Sequence, residues 1–325
     1  MTHLDLPVRL RRLRKNQTTR HVFEETSVAL KHLIQPYFIV NAMRHRKETP
    51  AHSGLIQISA DMIIEDITPL VEQGVGGVML FGVPDEKCDD GRLLHTQTQA
   101  LRQAIGIIKK RFPECLVFSD VCLCSYTSHG HCGFVVHDQI DNDSTVKVLA
   151  EMAVMLAESG SDFVCPSDMM DGRIRAIRQA LDSAKLTQTA ILSYAAKMAS
   201  AFYGPFRHAA HSAPQWGDRK SYQMPVSNRR EALREILSDE AEGADALLIK
   251  PALTNLDLIR DARERVLLPL VAYQVSGEYM MLKQAMIAQA FDFDRAMHEC
   301  LLSIRRAGAD LIVSYYAREL AELYA

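Results

Sequence analysis

One alternation runs from end to end of the chain: a short apolar, β-branched run, then a stretch of helical length with one apolar face. The apolar runs lie at 33–40, 77–82, 116–122, 162–167, 190–197, 245–251, 269–276 and 309–316. The segments 61–73, 92–111, 144–159, 171–185, 228–242, 254–265 and 292–307 read as helices between them. Runs that are apolar without alternation suit strands buried on both faces, the situation of parallel strands covered by helices. Eight of them predict α/β architecture closed into a (β/α)8 TIM barrel. The competing open, doubly wound sheet needs a glycine-rich turn that opens a helix after the first strand. Here Gly74, Gly76 and Gly77 precede a strand instead. The expected organisation is a barrel over residues 31–325 with an N-terminal arm over residues 1–30.

Composition narrows the function classes. A chain of 325 residues with 48% hydrophobic content buries enough surface to need no disulfide staples. Its 37 basic and 40 acidic side chains leave a net charge of −3, so no global field draws it to nucleic acid or an anionic membrane. Arg9, Arg11, Arg12, Arg14, Lys15 and Arg20 form one basic run, read as a solvated or subunit-contacting tail. No spanning segment or secretory signal is legible, and the expected compartment is cytoplasmic. Seven cysteines are odd in number and too sparse for a disulfide framework. Cys88, Cys115, Cys165 and Cys300 are scattered; the other three are not.

In a barrel of this type, reactive groups gather just past the C-terminal strand ends. Those positions hold Asp120, Ser167, Lys197, Lys250, Ser276 and Tyr315. A single lysine at a strand end ordinarily extends its amine into water. Two such lysines, each emerging from a buried strand, favour the neutral amine, because the second ammonium and the loss of water both penalise charge. A neutral amine can attack a ketone and form a Schiff base. The run DVCLCSYTSHGHCG places Cys122, Cys124 and Cys132 within eleven residues, with His129 and His131 beside the last. Thiolates this close suit Zn²⁺, either as an open three-ligand site or as a structural knuckle with His131 as fourth ligand. The strand-end position beside Asp120 favours the open, catalytic site.

The longest irregular stretch, residues 203–228, carries Arg207, Arg219, Lys220 and Gln223 and is expected to form a lid. Its arginines present planar forks that match a carboxylate, so the lid could close over an acidic substrate. Trp216 is expected to pack the lid, with His208 and His211 facing solvent.

These segments closely resemble the porphobilinogen synthase (5-aminolevulinate dehydratase) family. The matching stretches include RLRRLRKN, SDVCLCSYTSHGHCG, PSDMMDGRIRAIRQAL, SYAAKMASAFYGPFR, GDRKSYQM, NRREALREI, EGADALLIKPAL, AYQVSGEYMM and RAGADLIVSYYA. The resemblance implies a (β/α)8 lyase that condenses two 5-aminolevulinate molecules into porphobilinogen with loss of two waters, a step of tetrapyrrole and heme biosynthesis. It implies a Schiff base on Lys250 for the first substrate and a second-subsite role, with a second Schiff base, for Lys197. Ser276 and Tyr315 would meet the first carboxylate, and Arg207, Arg219 and Gln223 the second. Asp120 and Ser167 would lie near the second amino group, and Phe202 and Tyr203 would line the pocket. Family members with three cysteines after the third strand bind zinc there, which here means Cys122, Cys124 and Cys132. Glu235 matches the residue that marks a separate allosteric Mg²⁺ site. The family assembles as homo-octamers, with smaller hexameric forms, through the N-terminal arm. Ser125 departs from the common residue at its position, and the segment 42–59 matches no family pattern.

Two other readings remain at the level of sequence. A class I aldolase-like barrel needs one Schiff-base lysine and no metal. A nucleic-acid-binding protein would use the cysteine loop as a structural zinc knuckle.

Overall fold

The computed structural model describes residues 7–50 and 53–324. Eight strands build the barrel: β1 (Leu33–Val40), β2 (Gly77–Val83), β3 (Val117–Val121), β4 (Phe163–Pro166), β5 (Ala190–Lys197), β6 (Ala246–Lys250), β7 (Leu270–Tyr273) and β8 (Leu311–Val313). All pair in parallel with their neighbours. The ring closes where β8 meets β1, with Leu33 opposite Ile312 and Ile34 opposite Val313. β2 is buried along its whole length, as are β6 and β7. Continuous burial of this kind is why the strands read as unbroken apolar runs.

β8 is much shorter than the apolar run 309–316 that predicts it, and the reason lies in a segment the periodicity does not reveal. Arg46–Glu48 and Ile56–Ser59 form an antiparallel pair, and Ile56–Ser59 also lies parallel to β1, with Phe38 opposite Gln57 and Val40 opposite Ser59. This inserted strand takes the place beside the C-terminal half of β1 that a longer β8 would have occupied. Two further elements go beyond the sequence expectation: a helix at Ser276–Ile287 and a C-terminal helix at Ala317–Tyr324.

The helices between strands follow the expected segments closely. Helix Arg229–Glu242 stops at Gly243, whose φ of 104° is open to glycine and costly for other residues. The N-terminal residues make a turn at Leu10–Arg14 and a short helix at Gln17–Val22, neither with a buried side chain. Among the described residues, no helix is long and apolar enough to cross a membrane.

Candidate active site

β5 and β6 end side by side, with Lys197 and Lys250 directly opposite in register. Both side chains are buried, and both amines lie over the ring of Tyr194, at 5.7 and 5.5 Å from its centroid. The Lys250 amine is also 4.0 Å from the Tyr273 ring, 4.8 Å from Phe206 and 5.1 Å from Tyr203. Aromatic faces stabilise a cation weakly compared with water. Burial, reinforced by the neighbouring Lys197, therefore brings the Lys250 amine down to about 7. Lys197 donates a hydrogen bond to the carbonyl of Ser167.

Asp120 is the penultimate residue of β3, with its Oδ1 buried and without a hydrogen-bond partner while the Ser167 side chain bonds the same carboxyl. Loss of water, followed by the nearby Cys124 thiolate, pushes its carboxyl up to about 7. Two groups of opposite charge type that act on each other are thus both shifted toward neutrality, the condition for moving protons at physiological pH.

Just beyond Asp120, the sulfur atoms of Cys122, Cys124 and Cys132 lie within 4.8 Å of one another, all buried. Hydrogen bonds from Cys122 and Cys132 pull the Cys124 thiol well below its usual range, while Cys122 is pushed well above. The trio favours one thiolate even before a cation arrives. Among the described residues no fourth ligand atom joins this group, so the donor set fits a soft metal with an open position. His131 is not part of it. Its Nδ1 lies 3.1 Å from the Tyr222 hydroxyl and its Nε2 3.2 Å from the Trp216 carbonyl.

Known proteins resemble this chain over nearly its whole length. The family model described as Delta-aminolevulinic acid dehydratase matches residues 7–323. The chain belongs to the delta-aminolevulinic acid dehydratase family. It is 48% identical to the Escherichia coli (strain K12) enzyme of that name over 318 residues, 98% of each chain. It is 45% identical to the Archaeoglobus fulgidus enzyme over 97% of each chain. A crystal structure of delta-aminolevulinic acid dehydratase (porphobilinogen synthase) from Toxoplasma gondii ME49, in complex with the reaction product porphobilinogen, superposes with a TM-score of 0.95 at 41% identity. That likeness covers 99% of this chain and 92% of the other.

The remaining expected residues fall into three groups. Around Lys250, Ser276 is fully buried at the start of helix Ser276–Ile287 and accepts a hydrogen bond from the Phe206 amide at 3.0 Å. The Tyr315 hydroxyl pairs with that of Tyr273 at 3.0 Å, and Tyr203 donates to the Lys250 carbonyl. In the 203–228 segment, which begins as a short helix at Gly204–Ala209, Arg219 is buried and donates to the carbonyls of Gly130 and Ser212. Burial opposes its charge, and the Cys132 and Cys124 thiolates more than offset that. Arg207 keeps its Nε unpartnered, and half-burial followed by Arg219 lowers its basicity. Phe202 is partly buried beside Tyr203, and His208 and His211 are exposed as expected.

The third group is Glu235 and Gln223, the latter buried with Oε1 and Nε2 both without a hydrogen-bond partner. A separate cleft of about 390 Å³ is lined by Asp171, Glu231 and Glu235, and by Gln223. Burial, then the charges of Asp239 and other nearby carboxylates, raises the Glu235 carboxyl.

Sequence reasoning misses Glu278. It is 1% exposed, and its carboxylate accepts the amides of Val275 at 2.6 Å, Leu253 at 2.6 Å and Ala252 at 3.4 Å. It thereby ties the loop after Lys250 to the helix that begins with Ser276. A glutamate three residues into a helix is the available signal for such a capping role.

Proposed function

We propose that this chain is a porphobilinogen synthase: it condenses two 5-aminolevulinate molecules into porphobilinogen and releases two waters, a step of tetrapyrrole biosynthesis. The observation that carries the reading is the pair of buried lysine amines facing one aromatic wall, next to a buried aspartate with one carboxyl oxygen unpartnered and to three converging thiols.

In this reading the neutral form of the Lys250 amine, a substantial fraction at physiological pH because burial and Lys197 lower its basicity to about 7, attacks the ketone of the first substrate, and the ketone oxygen leaves as water when the Schiff base forms. Ser276 and Tyr315 hold that substrate's carboxylate, with the positive end of helix Ser276–Ile287 adding to the attraction. Lys197 forms the second Schiff base in the neighbouring subsite. Arg207, Arg219 and Gln223 meet the second carboxylate, and Phe202 and Tyr203 wall the pocket. Asp120 exchanges protons with the second substrate's amino group, beside Ser167. Cys122, Cys124 and Cys132 hold Zn²⁺. A thiolate-bound Zn²⁺ supplies Lewis-acid polarisation of the second ketone.

Glu235 would contribute a ligand to an allosteric Mg²⁺, a hard cation that takes oxygen ligands and is often held by only one or two carboxylates. The crowded carboxylates of its cleft support this assignment. The N-terminal segment, with Val8, Leu10, Leu13, Val22 and Phe23 all exposed, contacts other copies in a homo-octamer. The compartment of this activity is the cytoplasm.

Borohydride reduction in the presence of 5-aminolevulinate tests the reading. A trapped adduct on Lys250 is expected, and its absence there would remove the mechanism. Metal removal provides a second test. Chelation is expected to abolish porphobilinogen formation while far-UV circular dichroism stays nearly unchanged, because the eight parallel strands pair and close into the ring through residues that include none of the three cysteines. Global unfolding on chelation would instead favour a structural knuckle.

A further inference from the structure

The cysteine loop and the lid segment meet through contacts that the catalytic reading leaves unused. The Tyr222 hydroxyl accepts the backbone amide of Cys132 at 3.3 Å. Its own proton is then free to point at His131 Nδ1, 3.1 Å away. That fixes the imidazole tautomer, leaving Nε2–H to donate to the Trp216 carbonyl at 3.2 Å. The imidazole also packs on the Trp216 ring, with centroids 4.5 Å apart. Two more bonds run the same way: Arg219 to the Gly130 carbonyl at 2.8 Å, and the Gln215 amide to the His129 carbonyl at 3.0 Å. The approach is close enough to need glycine. Gly130 has φ of +71°, and a Cβ there would sit 2.4 Å from the Ala213 carbonyl oxygen.

We propose that His131 and Tyr222 couple metal capture by the three thiols to the seating of residues 203–228 over the cavity, so that the two form one linked equilibrium. The inference rests on the reading of the thiol trio as a metal site. The physical argument is reciprocity. Metal ligation orders the backbone around Cys132, which presents its amide to Tyr222 and His131 to Trp216. A seated lid in turn holds that backbone in the ligating form, so each event favours the other. His131 and Tyr222 are positioning residues that act through Cys132 and the lid. A loosened loop would release Arg219 from Gly130, so lid seating also sets where one carboxylate-binding arginine stands.

The sequence contains a single tryptophan, Trp216, which makes its emission a direct report on this contact. Metal-free protein is titrated with Co²⁺ while thiolate-to-cobalt charge-transfer absorption is followed. In parallel it is titrated with Zn²⁺ while acrylamide quenching of Trp216 is followed. The native chain is expected to develop the absorption band, and Zn²⁺ is expected to shield Trp216 from quencher. In His131→Ala the Co²⁺ needed for half-saturation should rise about tenfold, the usual scale for losing a group that orients a metal ligand, and Zn²⁺ should no longer shield Trp216. Tyr222→Phe keeps the ring and removes only the hydroxyl, so it should show the same pattern even if the alanine variant folds poorly. Native-like cobalt affinity in both variants, or unchanged Trp216 quenching on zinc addition to the native chain, would overturn the coupling. Failure of the native chain to give any charge-transfer band would overturn the metal reading itself.

Discussion

Lys250→Ala is expected to lower porphobilinogen formation by about four orders of magnitude or more, the scale seen when a covalent nucleophile is removed, with the fold intact. The amine is surrounded by Tyr194, Tyr203, Phe206 and Tyr273, so truncation removes a desolvated amine from an aromatic chamber, and Lys197 remains to offset the charge of Asp120. Lys197→Ala at the paired position should leave borohydride trapping on Lys250 in place while impairing the condensation, which separates the two lysines by role. The pH profile carries an independent signature. Burial and Lys197 hold the Lys250 amine near 7, and only the neutral form attacks. As pH falls below about 7, the rate at low substrate should decline about tenfold per pH unit. As pH rises above it, this limb should level off. An amine at the ordinary lysine value would place the limb more than three pH units higher. Near-normal turnover by Lys250→Ala, or an acid limb at the ordinary lysine value, would refute the assignment.

The lysines are legible in the sequence because each ends an apolar strand, and strand ends define the mouth of a barrel. The thiol trio is legible because its members are close in sequence as well as in space. Contacts across long sequence separation are not. His131 meets Trp216 and Tyr222 from 85 and 91 residues away. With no periodicity to link these positions, the sequence offers His131 as a ligand as readily as a lid contact. The Arg46–Glu48 strand is hidden for a different reason. All its residues are exposed and charged, so it lacks the apolar signature of its neighbours. Helix Ser276–Ile287 escapes because its apolar residues surround the axis, with Met281, Met286 and Ile287 exposed and Tyr279 and Leu282 buried. Burial on one side is then not marked by polarity on the other. Periodicity reports the surfaces that a helix or strand shows to water, and these elements depart from that rule.

Arg173 should be the most costly charge to remove from the fold. It is 2% exposed at the first turn of helix Arg173–Ser183 and donates to Asp239 at 3.0 Å, to the Tyr194 carbonyl at 3.3 Å and to the Met170 carbonyl at 3.2 Å. Asp168 lies 3.8 Å from it with Oδ2 unpartnered, and burial raises the Asp168 carboxyl. One cation therefore compensates two buried carboxylates and joins helix Arg173–Ser183, helix Arg229–Glu242 and β5. Arg173→Met fills similar space but leaves both carboxylates without their counter-charge. A loss of about 3–5 kcal/mol is expected from urea unfolding at matched chain concentration. Asp239→Asn alone should also destabilise, because it weakens the acceptor. The Arg173→Met/Asp239→Asn pair should cost less than the sum of the two singles, because the second change removes a charge that the first had stranded. Additive losses, or a single-variant loss below about 1 kcal/mol, would mean that solvent had been neutralising these groups all along. The effect also reaches the site. The Tyr194 carbonyl is held by Arg173, and the Tyr194 ring lies beneath both lysine amines. Arg173→Met should therefore also shift the acid limb that reports Lys250, because a displaced ring admits water and returns the amine toward its ordinary basicity.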